Sequence, residues 1–293
     1  MGFPALNGKT KICGLFGFPV EHSFSPAMHN AAFEELGLNW VYVPFCISPD
    51  RLKQAMQSIT SLGLTGINVT VPHKQAVLPL LDEIHPTAGI IGAVNTIVND
   101  QGRLVGHNTD GAGFVKSLTD ETGFSPRGQG VLILGAGGAA RAVAVQLALS
   151  GAGPLYIANR SPAKAEALAR DLQQATGVRA AALPWGRELP QEKVNEVGLV
   201  VQTTPMGMAP KAEQCPDFPF QAIRTGQVVC DLIYNPGQTL FLKEAAVRGA
   251  VPLNGLGMLL YQGVLAFELW TGKTAPVAVM REALLRQVSK AEE

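Results

Sequence analysis

Short apolar runs alternate along the chain with amphipathic stretches that open at Ser, Asp or Pro and stop at Gly, the punctuation of strands and helices in succession. Ile12–Gly17 reads as a buried strand. Ser25-Pro26 reads as an N-cap followed by proline at the first helical position, opening a helix that reaches about Leu36 and stops at Gly37. Trp40–Phe45 is β-branched and aromatic, Pro49–Leu62 is helical with a Gly63 stop, and Gly66–Val71 is again a strand. After a helical piece near Ala76–Glu83 come strands at Ala93–Val98 and Arg103–Gly106, so the first series reads as αβ throughout.

A second series follows a helix near Ala112–Thr122. Gln129–Leu134 is an unbroken apolar strand, and the Gly135–Ala140 segment opens a long helix reaching about Ser150. Leu155–Ala158, Leu199–Gln202 and Gln227–Asp231 read as strands, with helices at Pro162–Thr176 and Leu240–Arg248. Strands that are apolar throughout are buried on both faces, as in a parallel sheet covered by helices. The segment from Gly255 to Glu293 holds two more apolar helical stretches and no strand, and reads as returning to brace the first domain. The expected fold is therefore α/β with two domains: an N-terminal α/β substrate domain (1–110 with 255–293) and an inserted, Rossmann-type, doubly wound parallel sheet (111–254). A length of 293 residues fits two domains of roughly 150 each.

Lys+Arg and Asp+Glu both total 23, so the net charge is zero. Binding to nucleic acid or an anionic membrane needs a basic surface to neutralise phosphates, and none is expected. Apolar residues at 47 % against 16 % charged supply a large core and argue against disorder. Met1–Cys13 lacks the apolar run of a secretory signal, and Met1-Gly2 is followed by Leu6 where a myristoylation site wants Ser or Thr. Gly255–Trp270 is interrupted by Gln262 and Glu268 and reads as a buried helix rather than a membrane span. Cys13, Cys46, Cys215 and Cys230 form no C-x-x-C pair, so reduced, mostly buried thiols in a cytoplasmic protein, with no metal, are expected.

Chemistry concentrates at strand ends. Gly135-x-Gly137-x-x-Ala140 follows a strand and opens a helix, the context of a dinucleotide-binding loop whose N–H groups face a pyrophosphate. The next strand ends in Asn159-Arg160-Ser161, with Lys164 one turn on. No carboxylate is present to repel a 2′-phosphate, and the Arg fork matches one, which points to NADP rather than NAD. In the first series, Ser23 and Ser25 stand just ahead of a helix N-terminus, suited to a carboxylate. Lys74 lies beyond the strand of Asn68-Val69-Thr70-Val71-Pro72-His73-Lys74. Asn95 and Thr96 follow a small-residue turn, and Asn108-Thr109-Asp110-Gly111 ends the last strand.

These blocks, together with Gly92-Ala93-Val94-Asn95-Thr96 and Tyr261-Gln262-Gly263, resemble the shikimate dehydrogenase family across nearly the whole chain. The resemblance implies reversible, NADPH-dependent reduction of 3-dehydroshikimate to shikimate in aromatic amino-acid and chorismate biosynthesis. It implies Lys74 and Asp110 as the catalytic pair, and Ser23, Ser25, Thr70, Asn95, Asp110 and Gln262 as substrate-holding residues with Tyr234 at their border. For NADP(H) it implies Gly135, Ala136, Gly137, Gly138 and Ala139, then Asn159, Arg160, Ser161 and Lys164, and Leu232, Gly255 and Met258 near the nicotinamide. The chain has Ser161 where Thr is common in the family, Lys164 where Arg is common, and Pro86 where an acidic residue is expected.

A Lys with an ordinary pKa of about 10.4 is protonated at neutral pH and can supply both a hydrogen bond and a proton to a ketone oxygen. An adjacent carboxylate raises that pKa, so Asp110 is assigned to orienting the Lys and holding substrate hydroxyls. The remaining histidines, His22, His29, His73, His85 and His107, read as surface or packing residues. Partners are expected to be limited to the small-molecule substrate, in a monomer or homodimer, with the two domains closing on their ligands. Two alternatives stand beside this reading. An NAD-dependent quinate/shikimate dehydrogenase would be favoured by an acidic residue shortly after Arg160, where Ser161-Pro162-Ala163 supplies none. A non-catalytic cofactor or metabolite sensor would have no need of both Lys74 and Asp110.

Overall fold

A computed structural model describes residues 6–292, so the reading of Met1-Gly2 lies outside the described residues. In chain order the elements are β1 (Lys11–Gly17), α1 (Ser25–Glu35), β2 (Trp40–Cys46), α2 (Leu52–Ser61), β3 (Gly66–Val69), β4 (Glu83–Ile84), α3 (Pro86–Ile91), β5 (Thr96–Asp100), β6 (Arg103–His107) and α4 (Asp110–Thr122). They continue with β7 (Val131–Leu134), α5 (Gly138–Leu149), β8 (Leu155–Ala158), α6 (Pro162–Thr176), β9 (Ala180–Leu183), α7 (Gln191–Glu196), β10 (Leu199–Gln202), β11 (Val228–Asp231), α8 (Leu240–Val247), β12 (Val251–Leu253), α9 (Leu256–Thr271) and α10 (Val277–Glu292). The chain divides into two compact units, 1–109 with 260–293 and 110–259. The divisions thus fall one residue before, and five residues after, those read from the sequence.

In the first unit, six strands lie in the order β2-β1-β3-β5-β6-β4. β1 pairs parallel with β2 and β3, but β5 is antiparallel to both β3 and β6. The sheet is mixed, not αβ throughout, because β5 and β6 form a hairpin. Its turn residues Gln101 and Gly102 have φ of 52° and 95°, the paired positive values that suit a two-residue turn to the twist of the strands. Between Ala76 and Glu83 the chain makes only a single 3-10 turn at Leu78–Leu80, followed by the two-residue β4. The strand read at Ala93 begins at Thr96, and that read to Val71 stops at Val69. The short β4, α3, α7, β9 and β12 carry too few periodic positions to be read from the sequence.

One face of this sheet packs Ile67, Val69 and Ile97 against Leu52, Met56 and Ile59 of α2. Over the other, Phe33 of α1 stacks on Phe267 of α9 at 5.3 Å, and the Trp270 indole N–H donates to the Ile97 carbonyl at 3.0 Å. Gly66 is required beneath that indole, since a Cβ would collide with it. The C-terminal helices therefore return to the first unit, and α10 packs along α1.

In the second unit all six strands are parallel in the order β12-β11-β10-β7-β8-β9. The chain starts at the centre with β7, winds outward through β8 and β9, then returns to β10 on the other side of β7. This is the doubly wound dinucleotide-binding order, with its switch point between β7 and β10. β7, β8, β10 and β11 are buried along their whole length. Gly111 lets α4 approach α5, because a Cβ there would lie 2.5 Å from the Ala142 carbonyl. Of the cysteines, Cys13 and Cys230 are buried, Cys215 is half-buried and Cys46 is exposed, so burial covers fewer thiols than expected.

His29 stacks on Tyr42 at 4.5 Å, is fully buried, and neither ring nitrogen has a hydrogen-bond partner among the described residues. Burial pushes its pKa down to about 3. Below an unfolded-state pKa of about 6.5 the unfolded chain takes up a proton that the folded chain refuses, so stability falls with pH from there toward about 3. Asp231, raised to about 6, works in the opposite sense between its unfolded value and 6. Comparing the protein with His29→Leu cancels that shared contribution. The stability of the parent relative to the variant is expected to fall by about 2 kcal/mol between about pH 7.5 and pH 5 in denaturant titrations. A pH-independent difference would show that His29 does not titrate in this way.

Candidate active site

The parallel register of β1, β2 and β3 carries their C-terminal ends to one edge of the first sheet, with Gly17 opposite Cys46 and Phe16 opposite Val69. Antiparallel β5 begins at the same edge, with Thr96 opposite both Asn68 and His107. Five connections are thereby gathered side by side. The Phe18 N–H donates to the Val71 carbonyl at 3.0 Å, and the Val94 N–H donates to the Lys74 carbonyl at 2.8 Å. His73 is buried and its Nε2 donates to the Ile47 carbonyl at 2.7 Å, which pins the segment carrying Lys74. Ser23, Thr70 and Lys74 are half-buried at this edge, and Asn95 is buried behind it.

The cap read at Ser25 is not there: Ser25 is the first helical residue, and the N-cap is Phe24. The Ser25 N–H is accepted by the Ser23 hydroxyl at 3.3 Å, so Ser23 meets an otherwise unbonded donor of the first turn. Behind the edge, Asn95 Oδ1 accepts the Thr109 N–H at 2.8 Å and Asn95 Nδ2 donates to Thr109 Oγ1 at 2.9 Å. Asn68 Nδ2 donates to the Asn95 carbonyl at 3.2 Å and to Thr96 Oγ1 at 3.0 Å. Gln262 is half-buried on α9. Asp110 follows Thr109 directly and opens α4, where a carboxylate is favourable to the helix dipole.

In the second unit, Gly135 directly follows β7 with φ of 117°, and a Cβ there would strike the Thr203 hydroxyl. That hydroxyl donates to the Leu134 carbonyl at 2.7 Å, bracing the loop at the switch point. Gly137 is the N-cap of α5, and no side chain caps it among the described residues. A Cβ built at Gly137 or Gly138 meets nothing within 4 Å. Open space over uncapped helix N–H groups fits a pyrophosphate. Asn159 Nδ2 donates to the Ser161 carbonyl at 3.0 Å, shaping the turn from β8 into α6. Arg160 and Lys164 are both exposed at that turn and neither has an ion-pair partner among the described residues. These residues fit a phosphorylated dinucleotide.

The Leu232 and Gly255 backbones lie against each other, since a Cβ on Gly255 would run into the Leu232 carbonyl. Met258 follows on α9, half-buried. Burial raises the Tyr234 phenol above its ordinary range. Sequence reasoning missed the group that shapes this loop. Asp231, fully buried at the end of β11, accepts from Thr239 Oγ1 at 2.7 Å, the Ile233 N–H at 3.1 Å and Gln202 Nε2 at 3.4 Å. Its signal was a carboxylate closing an otherwise apolar strand.

A shikimate dehydrogenase (NADP(+)) of Desulforamulus reducens is 63 % identical over 290 residues, spanning 99 % of this chain and 100 % of that one. The chain belongs to the shikimate dehydrogenase family. Family models agree along its length: the shikimate dehydrogenase substrate binding domain matches residues 15–97, shikimate / quinate 5-dehydrogenase residues 118–191, and the shikimate 5′-dehydrogenase C-terminal domain residues 255–285. A solved shikimate dehydrogenase in complex with NADP+ superposes with a TM-score of 0.89 at 43 % identity, over 97 % of each chain. A ligand-free 5-ketofructose reductase of Gluconobacter also superposes with a TM-score of 0.89, at 38 % identity over 96 % of this chain and 99 % of that one.

The two loop glycines separate folding from binding. Gly135→Ala introduces both a strained φ and a collision, so the melting temperature and the affinity for NADPH are expected to fall together. Gly137→Ala has room and a φ of −89°, so it is expected to keep its melting temperature while NADPH binds about tenfold more weakly, its methyl standing over the helix N-terminus. Equal NADPH affinity in Gly137→Ala and the parent, measured by fluorescence titration, would remove this loop from the cofactor site.

Proposed function

We propose that the chain catalyses the reversible, NADP(H)-dependent interconversion of 3-dehydroshikimate and shikimate, with Lys74 and Asp110 as its catalytic pair. The observation that carries this reading is the shared sheet edge, where β1, β3, β5 and β6 present hydroxyl, amide and ammonium groups within one register. Family membership and the NADP-dependent relatives support it. A small, polyhydroxylated acid needs such a mixed array of donors and acceptors, and an apolar ligand does not. Ser23, Ser25, Thr70, Asn95, Asp110, Gln262 and Tyr234 are the proposed substrate contacts.

Gly135–Ala139 would hold the pyrophosphate, Asn159, Arg160, Ser161 and Lys164 the adenosine end with its 2′-phosphate, and Leu232, Gly255 and Met258 the nicotinamide. Bound NADPH supplies the hydride equivalent for the reduction. Lys74 donates a hydrogen bond to the ketone oxygen and passes it a proton as negative charge grows there; in the oxidative direction it receives that proton back. Asp110 orients the ammonium and accepts from a substrate hydroxyl. Retention of Lys74 with Asp110 favours an enzyme over a cofactor sensor.

Absorbance at 340 nm with shikimate and NADP+ tests the activity, with NAD+, quinate and 5-ketofructose as competing arms; preference for any of those would replace the assignment. Lys74→Met is expected to lower kcat about 10³-fold with little change in shikimate affinity. Arg160→Ala is expected to raise the KM for NADPH about tenfold while leaving that for NADH nearly unchanged, the signature of a lost phosphate contact. Equal effects on both cofactors would assign Arg160 to the fold instead.

A further inference from the structure

We propose that Tyr42 is a positioning residue for the substrate: its hydroxyl holds Asn68, and Asn68 with Thr96 holds Asn95, so that a substrate-holding side chain rests on one buried frame. The proposal rests on the reading above that Asn95 holds the substrate. Tyr42 lies on β2 with 2 % of its surface exposed, so it cannot itself touch a ligand at the sheet edge. Its effect must pass through a neighbour.

The frame is directional, and two main-chain groups set its direction. The Thr109 N–H can only donate, which turns Asn95 Oδ1 toward it at 2.8 Å and Asn95 Nδ2 toward Thr109 Oγ1. The Asn95 carbonyl can only accept, which turns Asn68 Nδ2 toward it at 3.2 Å, with Thr96 Oγ1 as the second acceptor at 3.0 Å. Thr96 in turn donates to Asn95 Oδ1 at 3.1 Å. Asn68 Oδ1 is left facing β2, where the Tyr42 hydroxyl donates to it at 2.8 Å. Asn68, Asn95, Thr96 and Thr109 are all buried, so a member that loses its partner finds no water to replace it.

The ring of Tyr42 is held independently of its hydroxyl. It stacks on His29 with an interplanar angle of 12° and lies 6.1 Å from the Trp270 ring. Tyr42→Phe therefore removes one oxygen while keeping the packing, leaving Asn68 Oδ1 short of a donor. A purely structural role would lower the melting temperature alone; a positioning role moves substrate binding as well.

Shikimate binding to the cofactor-free protein by isothermal titration calorimetry, with the steady-state KM and kcat alongside, decides the matter. Tyr42→Phe is expected to weaken shikimate binding about tenfold, with kcat within about twofold and the KM for NADPH unchanged. Ile59→Val, a core change in the same unit, serves as a control that lowers the melting temperature without moving shikimate affinity. In the double variant with Asn95→Ala, affinity is expected to equal that of Asn95→Ala alone, because Tyr42 acts through Asn95. Parent-like affinity in Tyr42→Phe, or additive losses in the double variant, would overturn the proposal. Failure of the parent protein to bind or oxidise shikimate would instead overturn the functional reading on which it rests.

Discussion

Asn68 is a buried carboxamide in the middle strand region of a six-stranded sheet, and a carboxamide removed from water needs both its oxygen and its nitrogen satisfied. Its bonds to Tyr42, Thr96 and the Asn95 carbonyl meet that need with groups from β2, β5 and the turn before β5. None of these partners is local in sequence, so the carboxamide is satisfied only when three strands are in register. A slip of one residue would turn Asn68 to the opposite face and bury it among the apolar side chains beneath. The polar edge and the strand order are thus one constraint: the sheet that satisfies Asn68 is also the sheet that brings the connections carrying Ser23, Lys74 and Asn95 together.

The second unit solves a similar problem with a charge. Asp231 ends a strand that is otherwise apolar, and burial raises its pKa to about 6 even though Thr239, Ile233 and Gln202 all donate to it. Those donors come from the next strand and from both ends of the following loop, so the carboxylate fixes the path of the backbone between β11 and α8. Thr239 has a second use, since its hydroxyl also accepts the Leu242 N–H and caps α8. A single buried acid thereby sets the position of Leu232 and Tyr234, which composition alone would have left as ordinary loop residues.

Much of this was legible in the residue pattern. The apolar runs of β7, β8, β10 and β11 mark a sheet buried on both faces, and the glycine loop after β7 marks its switch point, because both signals are local. The hairpin of β5 and β6 was not read, since the antiparallel turn at Gln101-Gly102 depends on two positive φ values that no strong Asn-Gly signal announces. The cap read at Ser25 was misplaced for a related reason: a serine ahead of a proline suits a cap by sequence, and only the local backbone path shows that Phe24 takes that place and that the Ser23 hydroxyl accepts the Ser25 N–H. Interactions between side chains far apart in sequence leave no periodic trace, and the Tyr42–Asn68 and Gln202–Asp231 bonds are of that kind.

Two neighbours of equal structural similarity, one a shikimate dehydrogenase and the other a 5-ketofructose reductase, bound what the fold itself can specify. A shared backbone can place an ammonium and a dinucleotide loop for reduction of a ketone, but it cannot choose between an acid and a neutral sugar. The choice must lie in side chains whose replacement spares the sheet. On the proposed substrate site those are Ser23 and Thr70, whose connections are held by main-chain bonds that survive a change of side chain, while the Lys74 ammonium serves either ketone. Asn95 differs, because its side chain is bonded to Thr109 and Thr96 in the buried frame behind the edge. On that reading substrate preference is free to drift at the outer edge and resisted at the frame.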